Sequence, residues 1–190
     1  MASFTPVLAR IAGRSSSLTA PVVMMAIILL AVSAQLSIPI EPVPITLQSY
    51  VVIALAALLG WKLGGIAVAI YIGLGVSGLH IFSNGRSGLE ALRGASGGFI
   101  VGFLVVTLLV GWLVETWARG RAWPLLAVLA LGHVVLLALG AGWMATLRGS
   151  AFAWEKGFLP FVPGAILKTV VAFGTVLLIE RLARGRAGKA

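Results

Sequence analysis

Apolar residues along this chain come in long unbroken runs. They show neither the alternation of a half-buried strand nor the single stripe of a surface helix. Charged residues mark the ends of the runs. Arg14 and Glu41 enclose the first, and four more lie between Glu41 and Lys62, Lys62 and Arg86, Arg93 and Glu115, and Arg121 and Arg148. A sixth follows Lys156 and is broken once, by Lys168. Each approaches the roughly 20 residues that a helix needs to cross about 30 Å of hydrocarbon. The pattern predicts an all-α polytopic membrane protein with six transmembrane helices over residues 18–36, 45–60, 63–79, 97–114, 123–144 and 161–182. The first helix must end before Ile38-Pro39-Ile40-Glu41-Pro42-Val43-Pro44, because proline lacks the N–H and restricts the residue before it.

Composition agrees. Hydrophobic residues make up 60% of the chain and charged residues 10%, against about 25% charged in a soluble domain. Six spans take up about 120 residues. That leaves one membrane domain with short loops and basic tails over about 1–16 and 183–190. Val32-Ser33-Ala34 resembles a small-residue cleavage site after a basic start, but the following Gln35-Leu36-Ser37-Ile38-Pro39 continues into the next segment, so the first helix is read as retained.

The formal charge of +9 does not point to nucleic acid, because the basic residues sit at run ends and form no face interleaved with aromatics. They read as topology signals. With both termini cytoplasmic, the inner segments hold Arg10, Arg14, Lys62, Arg119, Arg121, Arg181, Arg184, Arg186 and Lys189, and the outer segments hold Arg86, Arg93, Arg148 and Lys156. That asymmetry predicts a multi-pass protein of a bacterial inner membrane, in contact with lipid, with both ends inside. The chain has no cysteine and no aspartate, five glutamates and two histidines. Disulfides and thiol chemistry are excluded, and carboxylate-pair catalysis or a metal cage is hard to build. No nucleophile, base and orienting group can be assembled, so the expectation is a binding protein without catalytic residues, metal or cofactor.

Polar residues inside this apolar chain are the candidate site. The outer segment around Ser83-Asn84-Gly85-Arg86 is glycine-rich and longer than the other connections. It reads either as an exposed loop or as a ligand lid, with Arg86 as anion clamp and Asn84 as a two-way hydrogen-bonder. Lys168 lies about five residues past Pro163 and so about 7–8 Å into the last helix. It either snorkels outward or faces a polar interior, since a cation in lipid costs about 2.5–3.5 kcal/mol at the bilayer centre. Gln48 and His133 are weaker signals: Gln48 serves equally as a helix-packing group, and such a histidine is more often a packing or interfacial residue than a ligand contact. Tyr71 and Trp143 could stack on an apolar ligand, although aromatics near interfaces are expected in any case.

Four segments in order resemble the BioY family, the biotin-specific substrate-binding (S) subunit of energy-coupling-factor (ECF) transporters. The first runs from Gln35-Leu36-Ser37-Ile38-Pro39 to Pro42-Val43-Pro44-Ile45-Thr46-Leu47-Gln48. The second is Ser83-Asn84-Gly85-Arg86-Ser87-Gly88 with Ser96-Gly97-Gly98-Phe99. The third is Gly132-His133-Val134-Val135 with Trp143-Met144, and the fourth is Leu159-Pro160-Phe161-Val162-Pro163-Gly164 with Leu167-Lys168. The resemblance implies a six-helix S-component fold, biotin capture from outside, and partnership with a coupling transmembrane subunit and ATPase subunits. It carries the glycine-rich loop and Lys168 into the pocket. One departure stands out: the family pattern before the lysine is Pro-Gly-Asp, and here the third position is Ala165. The alternative it raises is the same fold binding another vitamin or a biotin precursor.

Overall fold

The computed structural model describes residues 5–13 and 16–187, so the topology residues Arg14 and Lys189 lie outside the described part. The helices are α1 (Val7–Ala12), α2 (Ser16–Gln35), α3 (Gln48–Val76), α4 (Gly88–Arg93), α5 (Gly97–Leu113), α6 (Ala122–Arg148), α7 (Ser150–Phe152) and α8 (Val162–Ala187). A two-stranded antiparallel ribbon, β1 (Ser37–Ile38) and β2 (Ile45–Thr46), pairs Ser37 with Thr46 and Ile38 with Ile45.

Five segments of the described chain are helical, long and apolar enough to cross a membrane. The difference from six lies in α3. Its 29 residues are not one rod. Gln48 and Tyr71, 23 residues apart, are hydrogen-bonded at 2.8 Å, whereas a straight helix would separate them by about 34 Å. The chain reverses at Gly60, whose φ of 73° and ψ of 179° are non-helical. A side chain there would be strained by the positive φ and would run into the Glu115 carboxylate, which accepts the Trp61 backbone N–H at 3.2 Å. α3 is therefore a hairpin with arms 48–59 and 61–76, which is compatible with the six expected crossings. The first arm, about 18 Å long, is short for a full span.

This hairpin is the heart of the bundle. In its most apolar stretch 72% of residues are buried, against 33% in α2 and 17% in the last segment. The flanks of those outer helices are apolar surface that only lipid or a partner protein can solvate. The second helix begins at Gln48 rather than near residue 45, because Ile45 and Thr46 are taken into the ribbon that the prolines force. Part of the expected N-terminal tail is also ordered: α1 buries Val7 and Ala12, with 3% and 1% of their surface exposed.

The Gln35 side chain joins α2 to the outer loop. Its Nε2 donates to Phe82 O at 3.0 Å and its Oε1 accepts the Gly85 N–H at 3.2 Å. The loop holds α4, a helical turn and a half that its glycine content did not suggest.

Candidate ligand-binding recess

A recess of about 630 Å³, mouth included, opens where the ribbon, the outer loop, the first turns of α3, α5 and α8 and the middle of α6 converge. Apolar walls come from Phe82, Phe99, Phe103, Leu136 and Phe161, among others. Phe99 and Phe161 stack with ring centroids 5.4 Å apart. Phe99 reaches this position because Gly140 on α6 has no Cβ to collide with its ring. The polar lining is Thr46, Gln48, Ser49, Ser83, Ser96, His133 and Lys168.

Lys168 is half-buried, and its ammonium points into the bundle. Nζ donates to Thr46 O at 2.6 Å and to Ser49 Oγ at 3.0 Å, groups 122 and 119 residues away. The turn from β2 into α3 thus supplies the docking point, and snorkelling does not describe this lysine. An ammonium has three N–H donors, so one remains. Among the described residues no carboxylate forms an ion pair with Lys168. Gln48, 4% exposed, donates through Nε2 to the Tyr71 hydroxyl at 2.8 Å, which in turn donates to Ile81 O at 2.9 Å.

His133 is 4% exposed. Its Nδ1 lies 3.2 Å from Leu129 O and 2.9 Å from Thr169 Oγ1. Its Nε2 is the one buried side-chain nitrogen or oxygen without a partner among the described residues.

Of the residues singled out in the sequence, Gln48, Ser83, His133 and Lys168 meet at this recess. The others stand elsewhere. Tyr71 is fully buried, edge-on to Phe82 with centroids 5.6 Å apart, and supports Gln48 from behind rather than offering a stacking face. Trp143 lies on the outside of α6, where its Nε1 donates to Gly94 O at 3.0 Å and its ring packs on Gly97 and Gly98. It lines a lateral apolar groove between α5 and α6. Asn84 is exposed, in a left-handed conformation (φ 59°, ψ 32°), and its Oδ1 accepts from Ser37 Oγ at 3.3 Å. Gly85, also at positive φ, spends its N–H on Gln35.

Arg86 does not touch the recess. Its Nε donates to Ser83 O at 3.1 Å, and its Nη2 donates to Ser83 Oγ at 3.0 Å and Ser96 Oγ at 2.8 Å. Burial lowers its pKa from the usual guanidinium value, but an arginine remains a cation at neutral pH. It pins the outer loop to the start of α5 and borders a second, shallower recess with Glu41, Asn84 and Arg148. Anion clamp is therefore replaced by loop staple at the inner site. Thr46, Ser49, Ser96 and the phenylalanines were missed as site residues. Ser96 and Phe99 sat in a motif already noted, whereas nothing local marks Ser49.

The chain was compared with known proteins. The BioY family model matches residues 10–185. A biotin transporter BioY from Thermotoga maritima is 37% identical over 155 residues, covering 81% of this chain and 90% of that protein. A probable biotin transporter BioY from Pyrococcus horikoshii is 35% identical over 154 residues, covering 81% and 89%. The fold superposes with a TM-score of 0.74, at 24% identity, on a crystal structure of the S-component for biotin from an ECF-type ABC transporter, covering 86% of this chain and 90% of that one. With a model match running almost from end to end and relatives above one-third identity over most of their length, this chain belongs to the BioY family.

Proposed function

We propose that this chain captures biotin in the recess beside Lys168 and delivers it inward as the S subunit of an ECF importer, with both termini in the cytoplasm of a bacterial inner membrane. It performs no bond chemistry. The observation that carries the reading is a partly buried cation with one donor free and no carboxylate against it, set among aromatic walls and serines. Biotin has complementary parts: a carboxylate for the ammonium, an apolar thioether ring and tail for the phenylalanines, and a ureido group for the polar lining. The names of the relatives support the same ligand.

Transport needs a partner, because the recess has to change sides. A coupling transmembrane subunit with ATPases fills that role by holding two orientations of this chain with different affinity, since a partner that binds both equally shifts nothing. The lipid-facing flank of α2 and that of the last segment are the surfaces available to it.

The test is calorimetry of biotin binding to the detergent-purified chain, with desthiobiotin and an unrelated vitamin alongside. Tight saturable binding of biotin at one site supports the reading. No heat at micromolar biotin with tight binding of another vitamin would overturn it, and would assign the Ala165 departure to a changed ligand.

A further inference from the structure

From the hydrogen-bond network we infer that His133 is a fixed hydrogen-bond acceptor that reads a ligand N–H, and that Thr169 is the positioning residue that fixes its tautomer. The inference rests on the recess being the biotin site.

The network assigns the protons. Leu129 O lies 3.2 Å from Nδ1, and a carbonyl can only accept, so Nδ1 carries the hydrogen. Thr169 is on α8, 36 residues from His133, and its hydroxyl donates to Ala165 O at 2.8 Å. Its oxygen then accepts from the same Nδ1–H at 2.9 Å. Both partners of Nδ1 lie outside the recess lining, and His133 itself lines it. In a neutral imidazole the other nitrogen is then a bare lone pair. A second proton would leave a buried cation with no counter-charge among the described residues.

This lone pair meets a need of the site. A ureido ring brings N–H donors that lose water on entering an apolar recess, and each requires an acceptor. Ala165 lines the recess and has no side-chain acceptor. Ser83 and Ser96 receive hydrogen bonds from Arg86, and Gln48 donates to Tyr71 and keeps its amide oxygen as an acceptor for one ureido N–H; the other N–H is left to His133. Nε2 of His133 is the nitrogen left with a lone pair and no partner. Specificity for an N–H over an isosteric oxygen follows, because an ether oxygen would face the nitrogen lone pair to lone pair.

Two biotin analogues test this, each with one ureido N–H replaced by a ring oxygen. Wild-type protein binds one of them at least about tenfold more weakly than biotin. His133→Phe keeps the ring's shape and removes that gap, and Thr169→Val narrows it. In ¹⁵N spectra of ligand-free protein, assigned with His80→Asn, His133 shows the Nδ1–H tautomer. The tautomer and Thr169→Val readouts stand if His133→Phe fails to fold. An Nε2–H tautomer, or a gap that survives His133→Phe, overturns the inference while biotin binding stands. Loss of biotin binding in wild-type protein instead overturns the proposed function, and with it the ligand named here.

Discussion

Replacing Lys168 with methionine separates a binding lysine from a structural one, because the two roles move stability and affinity in opposite directions. Methionine is unbranched and similar in length, so packing is nearly conserved. The ammonium already gives two donors, to Thr46 O at 2.6 Å and Ser49 Oγ at 3.0 Å, and the ligand carboxylate is assigned the third. A hydrogen bond to a charged group contributes about 1.5–3 kcal/mol, so the substitution should weaken biotin binding by roughly 10- to 150-fold. In the ligand-free protein the change removes a partly buried cation without a counter-charge, whose cost in a bilayer centre is about 2.5–3.5 kcal/mol. That relief offsets the two lost hydrogen bonds, so the free protein should melt no lower than wild type. Its stabilisation by biotin should shrink, by about 2.7 kcal/mol for a hundredfold loss of affinity. Calorimetry with biotin and its neutral carboxamide, together with thermal unfolding in detergent, reads all of this. Wild type should prefer the acid over the amide, and Lys168→Met should bind them alike. If the variant loses biotin and the amide equally, the carboxylate does not meet Lys168. If it melts lower than wild type and still binds biotin within about threefold, the lysine is structural.

Arg86→Lys removes the fork that holds Ser83 and Ser96 together, so biotin should leave roughly tenfold faster, on the scale of one charged hydrogen bond. Stopped-flow release kinetics would show it, and an unchanged off-rate would mean that the loop does not gate the recess. Tyr71→Phe orphans Gln48 Nε2 and leaves Ile81 O with the 3.4 Å bond from Gln35. Thermal unfolding should fall by the equivalent of about 1–3 kcal/mol, and biotin affinity should fall with it, because Gln48 loses its support. A stable Tyr71→Phe protein with full affinity would remove Tyr71 from the argument. Gly60→Ala forces a side chain into positive φ and against Glu115, and should destabilise by about 1–3 kcal/mol, where an ordinary helical Gly→Ala exchange stabilises. Glu115→Ala, which opens that space, should recover part of the loss in a double-variant melting series.

Much of the fold was legible because hydropathy is a local quantity. Each run of about 20 apolar residues reports its own transfer free energy into lipid, and prolines at 39, 42 and 44 report their own missing N–H groups. The outer segment over 78–89 and 94–99 was legible as unusual for the same reason, through its glycines and polar residues. Roles were harder to read. The loop residues Asn84 and Arg86 looked like ligand contacts because they are polar, but only their partners show that one is exposed and the other staples the loop.

What the sequence alone determined is which runs of the chain suit lipid and which residues are polar against that background. What only the tertiary structure decided is which distant residues meet: Gln48 with Tyr71 across the Gly60 reversal, His133 with Thr169 between α6 and α8, Lys168 with Thr46 and Ser49 across more than a hundred residues. Hydropathy could not supply those pairs. In lipid the apolar faces of all the helices are nearly equivalent, so what faces what is chosen by packing around small residues and by the few polar groups that must find partners. Those partners are fixed in space rather than in spacing.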